Sequence, residues 1–454
     1  MKKQEKKFVL AALALLVITG LLALTGCKND TVPETPAAKL VSISVTPPAR
    51  TVYSVEQEFD RTGMVVTATY DDGTTRTVTG TITTDTRTLT QSAGIGKKVT
   101  VSYTEGDTTK EATFTVDVAS YQFTETVQDV DSSYTGIMTG GTYKKFGDWP
   151  QTIKEEGVEI GAGTLVRGGL TYHVGSDGNY YVEQKENANG SGTEYQYSNG
   201  DQAGQGGTST KWFKVEPIVW RVLTEDYKDP DGKSSGNALL LAESILTGGI
   251  RYYVDRNTRT IIGAGTKEGE PDTVFPNNWQ YSTIRAWLNG SYEEKDNQAK
   301  AYTGKGFLQT AFTESAQKLI ADTTVDNNAA STNPASNDKQ WNDGKNEYAS
   351  GTPTTDKVFL LSQQEATNSE YGFDKYNNVD SACIRVTTDY AKATGAYQGD
   401  PSAGYGGKWW LRSPDYDLES FAHCIDYNGI AGGVLTSVSG TRRGVVPALS
   451  ISLQ

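Results

Sequence analysis

Histidine is nearly missing from this chain: His173 and His423 are the only two in 454 residues. A His-rich metal centre is therefore excluded, since such a site draws ligands from several imidazoles. Cysteine is almost as scarce, at three: Cys27, Cys383 and Cys424. So few cannot staple a disulfide-dense scaffold. Cys383 and Cys424 can bridge, which would constrain the unfolded chain by about 4 kcal/mol in the entropy account, or remain two buried thiols; both readings stay open. A zinc site from Cys383, Cys424 and His423 lacks the close Cys spacing such sites use. Positive charge is also short, with 42 Lys and Arg against 55 Asp and Glu, a net charge of −13. An acidic surface repels nucleic acid, so none is expected as a partner. No His-Glu-x-x-His helix occurs, which removes one common hydrolase signature. No cofactor is expected. Carboxylates converging from loops leave no spacing signature, so an extracellular glycan hydrolase stays as an alternative.

One long apolar run is present, and it lies at the start. Lys2, Lys3, Lys6 and Lys7 precede Phe8 to Leu24, which Thr19 and Gly20 alone interrupt, and Leu24-Thr25-Gly26-Cys27 follows. A charged head, an apolar stretch and small residues before a cut are the order of a secretory signal. The box resembles that of bacterial lipoproteins, which implies that residues 1–26 are removed and Cys27 is diacylated as the new N-terminus. The remaining 428 residues would carry a net charge of −16, because four Lys and one Glu leave with the signal. Their expected partner is a membrane, held through the lipid, and their expected place is outside the cytoplasm. Lys28 follows the Cys where Asp retains some lipoproteins at the inner membrane, which favours the outer membrane or cell surface. Residues 27–38, with Pro33 and Pro36 and no apolar period, read as a tether.

Residues 39–118 read as a run of short strands. Val41–Val45, Met64–Tyr70, Val99–Tyr103 and Phe114–Val118 alternate with period two, the signature of half-buried strands. Pro47-Pro48, Asp71-Asp72-Gly73, Gly94-Ile95-Gly96 and Glu105-Gly106-Asp107 separate them as turns. With no helical stretch this predicts a β-sandwich of immunoglobulin size. Phe59-Asp60-Arg61-Thr62-Gly63, Val66 to Thr74 and Val99 to Tyr103 resemble the bacterial Ig-like domains of the group 3 type. The resemblance implies a spacer or adhesion module. Residues 119–140, rich in Ser, Thr and Gly, read as a linker.

From residue 141 to 454 the composition shifts, with seven of the eight Trp at or beyond Lys211. The expected fold is α+β. Ile284, Trp287 and Leu288 share one face at helical spacing, Thr313 caps a second helix running to Ile320, and Gln363–Asn368 is a third. Strands are expected at Trp212–Val215, Ile218–Leu223, Ala238–Ala242 and Val358–Leu361. Long polar loops are expected over 184–209 and 322–356, and Asp229-Pro230-Asp231-Gly232 reads as a turn. Phe146 to Gln151, Pro217 to Leu223, Ala238 to Glu243, Ile284 to Asn289, Trp409-Trp410-Leu411-Arg412-Ser413-Pro414 and Gly444 to Leu449 resemble a family of uncharacterised bacterial extracellular domains. Val446 departs from it, standing where the family has Arg. The order of elements is also similar to C-type-lectin-like domains related to formylglycine-generating enzymes. Cys383 and Cys424 are too far apart in sequence for the redox pair of such an oxidase.

The candidate recognition segment is Trp409 to Asn428. An exposed Trp409-Trp410 pair beside Arg412 can stack on a sugar or peptide; alternatively the two indoles point to opposite faces of a strand, into core. Asp415, Tyr416, Asp417, Phe421, His423, Asp426, Tyr427 and Asn428 crowd residue types suited to low-entropy contacts. Their codons also resemble the adenine-directed mixture of retroelement-diversified lectin-like proteins. The plainer reading is strand-turn-strand, with Leu418, Ala422 and Ile425 inward and 426–429 a hairpin turn. The expected function is recognition of an extracellular protein or glycan ligand; a glycan hydrolase and a structural envelope component without a specific ligand are the alternatives.

Overall fold

The computed structural model describes residues 37–130, 141–188, 195–204, 206–254, 256–260, 273–290, 306–333, 352–415, 418–431 and 435–453. The expected signal, Cys27, most of the tether, and Tyr416 and Asp417 lie outside them.

The first module is a sandwich. Its elements are β1 (Leu40–Thr46), β2 (Val52–Ser54), β3 (Val65–Tyr70), β4 (Thr75–Val78), β5 (Thr81–Ile82), α1 (Thr86–Thr90), β6 (Gly94–Glu105) and β7 (Thr108–Ala119). One sheet runs β1-β3-β4 and the other β2-β7-β6-β5. Val66, Ala68 and Tyr70 from one sheet meet Val99, Val101, Phe114 and Val116 from the other, as the period-two pattern requires. Leu40 and Ile43 are three apart yet both buried, because the β1–β3 register breaks between Leu40 and Ser42; the extra residue turns the strand face. The expectation of no helix fails at α1, a single short turn of helix. Asp85 caps it, accepting from the amides of Arg87 and Thr88, the usual role of an N-cap carboxylate.

The rest of the chain contributes β8 (Gln128–Asp129), β9 (Tyr143–Ile153), β10 (Leu165–Arg167), β11 (Leu170–Val174), β12 (Tyr180–Lys185), β13 (Thr210–Thr224), β14 (Ala238–Ala242), β15 (Ser244–Ile245), β16 (Arg259–Thr260) and β17 (Thr273–Val274). There follow α2 (Thr283–Asn289), α3 (Phe307–Ala311), α4 (Glu314–Gln317), β18 (Thr323–Val325), α5 (Ala329–Thr332), β19 (Thr354–Asp356) and β20 (Val358–Phe359). The last are β21 (Val386–Thr387), α6 (Asp389–Ala393), β22 (Trp409–Pro414), β23 (Phe421–Ile425), β24 (Leu435–Ser437) and β25 (Ala448–Ile451).

β13 organises this domain. Residues 210–214 pair with β12, residues 213–221 with β9, and residues 220–224 with β14. A strand has two edges, so β12 and β14 follow one another along one edge of β13 while β9 takes the other. The nine-stranded sheet thus splays into two halves, β10-β11-β12 and β14-β25-β20, hinged on one long strand. The two strands predicted at Trp212–Val215 and Ile218–Leu223 are this single strand, and Pro217, which cannot donate to a ladder, sits at a register break against β9. Helix α2 keeps Ile284, Trp287 and Leu288 buried and ends at Gly290, whose φ is 68°. The third expected helix is one 3-10 turn, Glu365–Thr367. Within the loop predicted over 322–356, β18 and β19 pair.

Residues 119–129 do more than link. Tyr121 and Phe123 pack on Tyr172 and Tyr180 of the C-terminal sheet, with Phe123 stacked on Tyr180 at 5.1 Å. The amides of Ser120 and Tyr121 both donate to Gly178 O. Asp117, on the outer face of β7, accepts from Gly96 N and from Gly163 N, both at 2.7 Å. The sandwich and the second domain therefore share a packed junction.

Candidate functional site

The Trp pair is core. Trp409 and Trp410 are both 0 % exposed. Trp409 donates its indole N–H to Cys383 O and Trp410 to Ile250 O, each at 3.1 Å. The expectation that they form an exposed binding pair is corrected: β22 pairs with β23 and every one of its residues is buried, so both of its faces are covered. Cys424, opposite Trp410, and Cys383 are both buried free thiols, so the second of the two readings for them holds in the structure. Their sulfurs reach Thr436 Oγ1 and Ala366 O, each at 3.4 Å, and burial pushes the Cys383 thiol far up.

Arg412 is also misplaced as a ligand-binding residue, being 2 % exposed. Its guanidinium pairs with Glu365 and donates to Leu360 O at 2.7 Å and Asp326 O at 2.8 Å. Glu365 further accepts from the Tyr227 hydroxyl at 2.8 Å and Ser362 N at 2.7 Å. Burial works to raise the Glu365 pKa, but Arg412 and these donors outweigh it and hold the carboxyl below its ordinary value. This cluster ties four chain segments together.

Asp415 and His423 are buried at 7 % each, and His423 Nε2 lies 3.8 Å from Asp415 Oδ2. Burial lowers the His423 pKa to about 4, so the ring is neutral at pH 7. Nearby, Asn277 donates its amide to the carbonyls of Asp415, Leu418 and Phe421. Ala422 and Ile425 face inward as read, whereas Leu418 is 46 % exposed. The carboxyls that burial pushes up, Asp148 and Glu243, stand beside guanidiniums: Arg167 at 3.9 Å from Asp148 and Arg385 at 3.7 Å from Glu243.

Of the predicted recognition residues, Phe421, Asp426, Tyr427 and Asn428 reach the surface. Asp426 to Ile430 form the hairpin turn, closed by Gly429 N to Asp426 O and Asp426 N to Ile430 O, both at 3.0 Å. Gly429 has φ 83°, and a Cβ there would stand 1.9 Å from Asp380 O; only glycine fits. Asn428 Oδ1 accepts from Ile430 N at 3.3 Å and shapes the turn.

Tyr427 belongs to a cluster whose other members sequence reading missed. Its ring meets Tyr405 at 4.8 Å, interplanar angle 75°, and Tyr397 at 6.4 Å. Lys408 Nζ stands 5.0 Å from the Tyr427 ring and 5.3 Å from that of Tyr397, and pairs with Asp426 at 2.7 Å. Arg442 lies 5.5 Å from the Tyr397 ring. The loop carrying Tyr405 is bolted down: Gly399 N donates to Gly406 O, Gly406 N to Tyr427 O, and Gln398 Nε2 to Tyr405 O at 2.9 Å. A Cβ on Gly399 would lie 2.8 Å from Tyr405 Cβ and 3.2 Å from Tyr427 Cβ, so its absence lets the rings close. The signal was present in Gly-Ala-Tyr-Gln-Gly-Asp-Pro-Ser-Ala-Gly-Tyr-Gly-Gly at 395–407, a glycine-rich loop carrying two tyrosines. Rings and cations held at such spacing make an amphipathic face able to stack on a ligand and hydrogen-bond to it.

Residues 46–118 match the family described as bacterial Ig-like domain (group 3), and residues 235–453 match the family described as domain of unknown function (DUF6273). The chain thus carries an Ig-like domain followed by a C-terminal DUF6273 domain, whose matched region begins only at the approach to β14. No curated protein matches the chain.

Proposed function

We propose that this protein is a lipoprotein anchored through Cys27 at the cell envelope, on the outer membrane or cell surface. It projects an Ig-like stalk and uses a C-type-lectin-like C-terminal domain to recognise an extracellular protein or glycan. The observation that carries the reading is the surface cluster of Tyr397, Tyr405 and Tyr427 around Lys408. Stiff aromatic side chains on an ordered loop gain contact area at little entropic cost. The packed junction at Asp117 supports a stalk role, because it orients the head relative to the sandwich. Recognition centres on the loop 397–408 and the 426–430 turn, not on the buried Trp409, Trp410 and Arg412.

The test compares the full chain with the Tyr405→Ala/Tyr427→Ala variant on an array of immobilised matrix proteins and glycans. Retention on at least one component, lost in the variant with its melting temperature unchanged, is the expected result. Equal retention of both, or none, defeats the reading. Anchoring is checked separately by metabolic labelling with a radioactive fatty acid, which Cys27→Ser should abolish.

A further inference from the structure

A pocket of about 240 Å³ opens where β9, the turn from β10 into β11, the end of β12, the segment 247–250 and helices α2, α3 and α6 converge. Tyr397, Tyr405 and Tyr427 do not line it, so it is distinct from the tyrosine face. Trp149, Leu170 and Gln184, which do line it, precede the DUF6273 match that begins at residue 235. The pocket therefore exists only where that match and the strands before it are packed together.

Its floor is aromatic. Trp149, Trp287 and Tyr390 are all buried. The Trp149 ring meets Trp287 at 6.0 Å and Tyr390 at 6.1 Å, edge-on at 88° in both cases, and Phe307 backs the two indoles at 5.0 and 5.7 Å. Hydrogen bonds fix the walls to one another. Trp149 donates its indole N–H to Leu246 O at 2.9 Å, and the Tyr390 hydroxyl donates to Gln184 Oε1 at 3.1 Å. Thr310 Oγ1 accepts from Gly169 N at 3.0 Å, and Thr394 Oγ1 accepts from Gly248 N at 2.7 Å. Leu170 and Ile250 are half-buried and supply the aliphatic part of the wall. A pocket already ordered in this way loses little entropy when it is filled.

We infer that this pocket binds a small uncharged aromatic molecule of one or two fused rings. Three arguments select that class. Among the described residues no charged side chain lines the pocket, so an ionised ligand would lose its hydration without compensation. The polar groups of the wall are already spent on one another: Gln184 Nε2 donates to Lys185 O at 2.8 Å while its Oε1 is taken by Tyr390, and the Thr394 hydroxyl donates to Ala391 O at 3.0 Å. A sugar would strand its several hydroxyls there, each at the cost of an unmade hydrogen bond. A flat apolar ring instead gains edge-to-face contact with aromatic walls. Size sets the upper limit: an apolar cavity of about 150 Å³ holds benzene, so the larger volume here admits a bicyclic ring and little more.

The experiment titrates the full chain in detergent with indole, quinoline and coumarin by isothermal calorimetry, with benzoate as the charged counterpart. At least one neutral ring should bind saturably at one per chain, and benzoate should not. Leu170→Trp, which fills the pocket from its wall, should weaken binding by roughly tenfold or more; partition into micelles is common to both proteins and cancels in the comparison. Ile250→Trp makes the same test from the other side if Leu170→Trp unfolds. The Tyr405→Ala/Tyr427→Ala variant should bind the ring unchanged, which separates this site from the recognition face. On the unaltered chain, a diazirine-bearing coumarin should crosslink to peptides containing Trp149, Leu170, Ile250 or Trp287. No binding by the three neutral rings, equal binding of benzoate, binding that the filled pocket leaves intact, or crosslinks confined to other peptides overturns the inference.

Discussion

The two domains solve the same problem with different means. In the Ig-like sandwich, strands pair with strands, so backbone groups satisfy one another and the core stays apolar. Among its described residues the buried charge is Asp117, which faces the neighbouring domain and not the sandwich core. In the C-terminal domain, long stretches of chain lie in loops whose carbonyls and amides have no ladder to join. Side chains take over: Arg385 donates to Ala242 O, Ala382 O and Ile384 O, Arg412 to Leu360 O and Asp326 O, and Asn277 to three carbonyls. A buried backbone group without a partner costs about as much as a lost hydrogen bond, so an irregular fold must bury polar side chains where a regular one need not. The lesson is that buried charge in this protein marks loop anchoring before it marks chemistry.

That contrast is open to attack, beginning with the largest effect. Arg412→Met should destabilise the C-terminal domain by about 3–5 kcal/mol, since it strands the Glu365 carboxylate in the core. The sandwich holds no Trp, so denaturation followed by Trp fluorescence reads the C-terminal domain alone. A midpoint shift below a third of that size would sink the anchoring account. Next comes acid. The buried neutral His423 has its pKa lowered from 6.5 to about 4, so between those values the unfolded chain binds the proton and the folded one does not. Stability is complete above pH 6.5 and falls as pH drops towards 4, by about 3 kcal/mol in all. His423→Leu should flatten that part of the stability–pH curve, and an unchanged slope would show that another group titrates.

Asp117→Ala removes the charged acceptor shared by Gly96 N and Gly163 N. It should cost about 2 kcal/mol and separate the unfolding of the sandwich from that of the second domain in calorimetry. A single undivided transition at the original temperature would mean that the aromatic contacts alone couple the domains. The smallest effect belongs to the tyrosine face. Tyr405 is 39 % exposed, so Tyr405→Ala should move stability by no more than about 0.5 kcal/mol while changing binding. A large loss of stability would make it a structural residue.

Legibility followed regularity. Of the four long strand patterns of residues 39–118, three lie within β1, β6 and β7 and the fourth, Met64–Tyr70, starts one residue before β3, while Ala238–Ala242 is β14 to the residue. The short strands β2, β4 and β5 escaped because two to four residues carry no period. Helix α2 announced itself through the spacing of Ile284, Trp287 and Leu288. The site was half legible. Tyr427 and Asp426 stand on the surface, but Trp409, Trp410, Arg412, Asp415 and His423 belong to the interior, and Tyr397, Tyr405 and Lys408 were not singled out. A Trp-rich strand has the same composition whether one of its faces is open or both are covered, so composition could not choose.

By itself, the sequence determined local things: which stretches alternate, where Thr313 begins a helix, and where glycines turn the chain. Those depend on a few neighbouring residues, and propensity and periodicity act at that range. Only the tertiary structure decided that β12 and β14 share one edge of β13, that both faces of β22 are sealed, and that tyrosines 397, 405 and 427 gather round Lys408. Each of these depends on segments distant in sequence coming together. Burial, the quantity that separates a core indole from a binding ring, is a property of that assembly and not of any stretch of the chain.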